Sequence, residues 1–166
     1  FSEAIKLYER ALKINDKISV IYYSLALAYQ GLGDFEKAIK YAKEVLLLDP
    51  KFTQADMLIS QSTKYDSNSD HYREMENKIN NLELNAEQKI NLNFALAKSY
   101  EDMNDIEKSF QFLKQGNKIK RNSLVYSIQN EERLFNNIKK IFKQVDFKRI
   151  DKQDNNQKTP IFILGM

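Results

Sequence analysis

The sequence predicts an all-α fold, a right-handed solenoid of helix-turn-helix repeats followed by one further helix. Two observations indicate this fold class. Apolar residues recur at helical spacing through most of the chain, and a block the size of one helical hairpin occurs more than once. A third observation departs from the pattern, because the closing residues TPIFILGM form a continuous apolar run behind a proline.

The recurring block is clearest in two segments that align when one is shifted by 71 residues. Residues 24–46 read SLALAYQGLGDFEKAIKYAKEVL, and residues 95–117 read ALAKSYEDMNDIEKSFQFLKQGN. The opening EAIKLYERALKIND also aligns with KAIKYAKEVLLLDP at a shift of 34. A period near 34 with this pattern resembles the tetratricopeptide repeat (TPR), a helix-turn-helix unit. The resemblance implies a solenoid whose concave groove is lined by the first helix of each repeat.

Local chemistry in the best repeat supports the same unit. One stripe of its first helix runs from Tyr22 to Tyr29 at helical spacing. Gly33 is a poor helix residue and marks the turn, and the side chain of Asp34 offers an N-cap to the second helix. That helix is expected to end before Pro50, since the residue preceding a proline is biased away from helix.

The repeat register divides the chain into segments. The third repeat is degenerate, because Asp56 and Thr63 stand where the second repeat has Tyr22 and Tyr29. The expected segments are a TPR solenoid over 1–121 (a partial first repeat, then repeats near 19–52, 53–84 and 85–121), a capping or bridging helix within 122–150, a polar linker over 151–159 and a strand over 160–166.

The predicted strand has no partner in an all-helical chain. Its apolar residues from Ile161 to Leu164 are consecutive, which is typical of a strand buried on both faces of a parallel sheet. We therefore expect an orphan β-strand that opens a missing α/β domain, and a chain cut from a longer protein. In such sheets, ligands and phosphate-type anions bind at the carboxyl ends of strands, where Gly165 lies.

Three stretches together resemble a bacterial family that joins N-terminal TPRs to a sulfotransferase domain. They are NFALAKSYEDMNDIEKSFQFLKQGNKIKR (93–121), RLFNNIKKIF (133–142) and TPIFILGM (159–166). The resemblance implies a following loop that binds the cofactor PAPS (3′-phosphoadenosine-5′-phosphosulfate), with Gly165 and Met166 as its lead-in. It implies no catalytic residue within this chain, because the catalytic groups of that family lie further downstream.

Two other interpretations stay open at this point. The chain fits a non-enzymatic TPR adaptor or scaffold, and it also fits a TPR region fused to a P-loop NTPase. A continuation resembling Pro-Arg-Ser-Gly-Thr would favour the sulfotransferase, whereas Gly-x-x-x-x-Gly-Lys would favour the NTPase.

Composition argues against several other classes of function. The net charge is only +3, from 26 basic and 23 acidic residues, so we expect neither a nucleic-acid nor a membrane surface. Cysteine is absent, which fits a reducing, cytoplasmic location. His71 is the only histidine and has no ligand-like neighbours in sequence, so we expect no metal site and a structural role for this side chain.

The candidate site is the concave groove. Its residue types lack the Lys/Asn/Arg arrangement of TPRs that clamp a C-terminal carboxylate, and we expect an extended peptide, an acceptor polypeptide or a neighbouring part of the same protein as ligand. The register places nine residues there: Tyr23, Leu27, Gln30, Met57, Gln61, Lys64, Phe94, Lys98 and Glu101.

Overall fold

The structure, a computed structural model, describes residues 1–124 and 127–144, and divides the chain into two units, Phe1–Leu124 and Val125–Met166. The described residues contain helices and no strand. The helices are α1 (Ser2–Ile14), α2 (Ser19–Gly31), α3 (Phe35–Leu48), α4 (Thr53–Ser62), α5 (His71–Asn81), α6 (Ala86–Asp102), α7 (Ile106–Ser123) and α8 (Ile128–Gln144).

The helices of the first unit alternate between two rows. The first helices of successive repeats, α2, α4 and α6, pack side by side. The second helices flank this row: α1 packs against α2, α3 against α2 and α4, and α5 and α7 against α6. This is the contact pattern of a solenoid of helical hairpins, and it confirms the predicted all-α class.

The turns within the two regular repeats have the backbone that their sequences predict. Gly33 has φ 78° and Asn104 has φ 62°, the left-handed conformation that glycine and asparagine tolerate best. Each is followed by an N-cap. The carboxylate of Asp34 accepts a hydrogen bond from the N–H of Lys37 at 3.2 Å, which confirms the predicted cap.

The start of α6 is fixed by a reciprocal cap that also joins distant parts of the chain. The side chain of Asn85 accepts from the N–H of Gln88, and the N–H of Asn85 donates to the Gln88 side chain, both at 2.9 Å. Gln88 further donates to the carbonyl of Lys51, and Asn91 donates to Thr53 at 3.2 Å. The start of the fourth repeat is thereby tied to the start of α4.

Three apolar clusters form the core of the first unit. One joins α1 to α2, one joins α2, α3 and α4, and one joins α5 and α6 to the segment before α5. Buried alanines allow α2, α3 and α4 to approach one another closely. The buried members are Ile5, Leu25 and Ala28; Ala26, Ala38, Ala42, Val45, Ala55, Leu58 and Ile59; and Tyr65, Met75, Leu84, Leu92, Ala95, Leu96 and Tyr100.

The third repeat departs from the regular geometry, as its sequence predicts. Its first helix α4 has ten residues, against thirteen in α2, and ends at Ser62. An irregular connection leads to α5, which starts at His71. Helix α5 then packs chiefly against α6 of the next repeat.

Gly116 lies inside α7, because this helix continues to Ser123. A Cβ at this position would lie 3.1 Å from Cβ of Asn93 and 3.3 Å from the ring of Phe94. The absence of a side chain at Gly116 therefore allows close contact between α7 and α6.

In the second unit the structure describes α8, which lies within the segment predicted as a capping helix. Its apolar residues recur at helical spacing, and Leu134, Ile138 and Ile141 are exposed. The capping role stays a prediction. The expected linker over 151–159, the strand over 160–166 and the lead-in residues Gly165 and Met166 lie outside the described residues. None of the described helices is long and apolar enough to cross a membrane.

Candidate functional site

Eight of the nine predicted groove residues lie on the row of first helices. Tyr23, Leu27 and Gln30 are on α2, and their counterparts follow on α4 and α6. Lys64 is the exception, because α4 ends at Ser62 and Lys64 therefore falls in the irregular connection. The prediction extended the regular helix length into a repeat whose first helix is shorter.

On α2 the predicted residues serve both as packing groups and as surface. The rings of Tyr23 and Phe52 lie 4.9 Å apart, and partial burial raises the pKa of the Tyr23 hydroxyl. Gln30 donates a hydrogen bond to Ser62 at 3.2 Å, which joins α2 to the end of α4. Leu27 is 44% exposed and is therefore the most accessible apolar side chain among the three.

On α4 and α6, too, some of the predicted residues are exposed and others are partly buried in helix packing. Gln61 and Glu101 are exposed, and Met57 is half-buried. The ring of Phe94 is half-buried and lies against Gly116, so part of it is committed to the packing of α6 on α7.

The amine of Lys98 is held by the protein itself. It donates to the carbonyl of Thr63 and to the carboxylate of Asp102, and it lies 5.4 Å from the centroid of the Tyr65 ring. Asp102 also accepts from the N–H of Tyr65 at 3.0 Å. Lys98 therefore anchors the connection after α4 to α6.

A cluster of buried polar side chains lies within the third repeat. The sequence did not predict it as a site. The carboxylate of Asp56 is fully buried. Its Oδ1 lies 2.7 Å from the amine of Lys78 and 3.1 Å from Nε2 of His71, while Oδ2 has no hydrogen-bond partner. The ring of His71 continues the chain of contacts, because its Nδ1 lies 2.6 Å from the hydroxyl of Tyr65.

The roles of the two ring nitrogens depend on the tautomer of His71. In a neutral ring whose Nε2 donates to the carboxylate of Asp56, Nδ1 is the acceptor for the hydroxyl of Tyr65. Burial raises the pKa of that hydroxyl far above its usual range. The groups face inward and bind one another. Among the described residues there is no group of three or more side chains that could hold a metal ion.

A cavity of about 970 Å³ adjoins the cluster, between α3 and α5. Ile39 and Leu46 of α3 and Ile59 of α4 give it apolar walls. Its opposite side includes His71 and Lys78, which pair with the buried carboxylate. This cavity lies on the side of the second helices, away from the residues predicted for the groove.

Comparison with known families agrees with the two regular repeats. Residues 19–52 match a family described as "Tetratricopeptide repeat", and residues 90–123 match a second family of the same description. The chain contains tetratricopeptide repeats. The first match coincides with the predicted TPR at 19–52, and the second covers most of α6 and all of α7. TPRs of other proteins typically bind protein or peptide partners.

Sequence reasoning missed the Asp56 cluster, although one signal was available. Asp56 occupies the register position of Tyr22, a core position of the regular repeat. A charged residue at a core position requires buried partners. The sole histidine and Lys78 of the following helix supply them. The departure had been interpreted only as degeneracy of the repeat.

Proposed function

We propose that this TPR region binds an extended polypeptide along the row formed by α2, α4 and α6. The observation that supports the proposal is the continuity of this row, whose helices pack side by side and are joined by the hydrogen bond from Gln30 to Ser62. Leu27, Gln61 and Glu101 are exposed along the row and offer one apolar, one amide and one acidic contact. This mixture suits backbone and side-chain contacts with an extended chain.

The state of Lys98 argues against a ligand that is held by its terminal carboxylate. Its amine already binds Thr63 and Asp102. A carboxylate ligand would have to displace Asp102, whose charge would repel it. Internal peptide segments are therefore the expected ligands.

The proposal is tested with peptides selected from a phage-displayed random library against residues 1–124. Leu27→Glu should weaken binding of the selected peptides on the order of tenfold or more, because it replaces the exposed apolar contact that α2 offers in the row with a charge. Leu7→Glu is the matched control, since Leu7 is also an exposed leucine but lies on α1. Equal binding by wild type and Leu27→Glu would exclude the row as the binding surface.

We further propose that this region serves a PAPS-dependent sulfotransferase and orients its acceptor polypeptide in the cytoplasm. The support is the similarity of residues 93–121, 133–142 and 159–166 to the TPR-containing sulfotransferase family, together with the absence of cysteine from the sequence. The full-length gene product should bind 3′-phosphoadenosine 5′-phosphate, measured by calorimetry. A P-loop motif directly after residue 166 would favour an NTPase, and a full-length product that binds no nucleotide would favour an adaptor.

A further inference from the structure

The two regular repeats share an aromatic pair that the third repeat lacks. In repeat two the rings of Tyr29 and Tyr41 stack at 5.4 Å with 10° between their planes. In repeat four the rings of Tyr100 and Phe112, at the equivalent positions, stack at 5.6 Å with 7° between their planes. The residue of repeat three that corresponds to Tyr29 is Thr63. A small side chain therefore replaces a ring at this position, and the stacked rings nearest to it are those of Tyr65 and His71, whose centroids lie 6.0 Å apart.

Repeat three also lacks the carboxylate that accepts a hydrogen bond from this tyrosine in repeat two. Tyr29 donates to the carboxylate of Glu9 on α1 at 3.4 Å, and Tyr100 donates to a carboxylate on α5. The residue of α3 that corresponds to Glu9 is Lys43. At these two positions repeat two has Tyr29 and the acidic Glu9, whereas the next interface has Thr63 and the basic Lys43.

The 970 Å³ cavity lies where the ring is missing, since Thr63 lines it together with Ile39, Leu46 and Ile59. Around the equivalent interface one repeat earlier, Tyr8, Leu12, Tyr29 and Tyr41 pack on the buried residues of α1 and α2. At the corresponding positions of the next interface, Ala42 and Thr63 replace the tyrosines Tyr8 and Tyr29, whereas Leu46 retains the leucine. The cavity volume is at the upper end of the range of ligand sites.

Two unpaired charges of opposite sign flank the apolar walls. Lys43 of α3 and Glu74 of α5 both line the cavity and are exposed, and neither forms an ion pair within residues 1–124. An occupant that carries a carboxylate toward α3 and a base toward α5 would pair with both. Apolar walls with charged edges are the usual form of a groove that binds an amphipathic helix.

We propose that the cavity between α3 and α5 is a docking site for an amphipathic helix of a partner protein, which inserts an aromatic side chain beside Thr63. The inserted ring takes the place that Tyr29 occupies in repeat two. An acidic residue on the same helix pairs with Lys43, and a basic residue on its other flank pairs with Glu74. This second site is independent of the row of first helices.

The test uses the full 166-residue chain and three hydrocarbon-stapled helical peptides of about 16 residues, a length at which an unassisted helix is only marginally stable. The first carries a tyrosine on its apolar face, glutamates on one flank and lysines on the other. The second replaces the tyrosine with alanine, and the third exchanges the two flanks. Fluorescence anisotropy should show the first peptide binding on the order of tenfold more tightly than either of the others.

Thr63→Tyr is the decisive variant, because it supplies the missing ring from within the chain. It should abolish binding of the first peptide while the melting temperature stays equal or rises. Leu27→Glu should leave this binding unchanged, which separates the docking site from the proposed groove. Undiminished binding to Thr63→Tyr, or equal binding of all three peptides, would overturn the proposal. Binding of p-cresol but of no peptide would also overturn it, in favour of a small-molecule site.

Discussion

Repeat two, residues 19–52, and repeat three, residues 53–84, solve the same packing problem with different chemistry. Repeat two fills the space between its helices with tyrosine rings and small alanines. Repeat three places the carboxylate of Asp56 at the position of Tyr22 and draws His71 and Lys78 onto it. Repeat two is held mainly by apolar packing, whereas repeat three adds a buried ion cluster to its apolar contacts.

The comparison shows which part of a solenoid tolerates variation. The first helices α2, α4 and α6 stay in contact through the irregular repeat, whereas the second helix α5 moves onto α6. A ring stack requires two helices at close range. Long side chains such as Lys78 reach a buried partner from a helix that lies further away. The ion cluster is therefore compatible with an open interface, and the ring stack is not.

The largest expected effect comes from removing the centre of the cluster. Asp56→Ala should lower the free energy of unfolding by about 3 to 5 kcal/mol, because it leaves two polar partners in a buried site without their acceptor. Urea denaturation of residues 1–124 measures it. The matched control is Glu74→Ala, an exposed acid without an ion pair, for which we expect a change within about 0.5 kcal/mol. If the two variants are equally stable, the cluster does not hold repeat three.

A second variant makes repeat two resemble repeat three. Tyr29→Thr removes the ring that stacks on Tyr41 and the hydrogen bond to Glu9. We expect a loss of about 2 kcal/mol, since the ring is only partly buried. The chemical shifts of Tyr41 should change, while those of the Asp56 cluster should stay constant. Equal changes in the chemical shifts of Tyr41 and of the Asp56 cluster would show that the two interfaces are coupled.

A third experiment uses alkaline pH to probe Tyr65 of repeat three. Burial raises the pKa of Tyr65 in the folded state, whereas the hydroxyl ionises near pH 10 in the unfolded chain. Above pH 10 the unfolded state therefore binds fewer protons than the folded state, and stability falls as pH rises. The contribution of this group to the slope is at most about 1.4 kcal/mol per pH unit.

The check is the dependence of the unfolding free energy on pH between about 10 and 12 for wild type and Tyr65→Phe. The variant loses the contact with His71 at every pH, so a constant offset at neutral pH is expected. Its alkaline slope should be shallower. Two parallel curves would show that Tyr65 does not keep its proton in the folded protein.

Much of the fold could be predicted because local signals and repeat spacing agreed. The repeat period predicted the hairpins, Gly33 predicted the turn between α2 and α3, and Asp34 predicted the start of α3 as its N-cap. Each of these signals depends on a few neighbouring residues, so the sequence contains it in full.

The candidate site was less predictable because it depends on contacts between distant residues. The register placed Lys64 on a helix, but α4 ends two residues earlier. It placed Lys98 in the groove without showing that Thr63 and Asp102 hold its amine. The ion cluster needs Asp56 and Lys78 to meet across two helices, and repeat spacing carries no information about such a pairing.

The reciprocal cap at the start of α6 has a consequence for how the solenoid opens. Through Gln88 and Asn91, the fourth repeat is joined to Lys51 at the end of the second repeat and to Thr53 at the start of α4. Helix α5 takes no part in these two hydrogen bonds. It should be able to detach and re-dock without breaking the row of first helices, so its amide protons should exchange through a local opening well before those of α4 and α6.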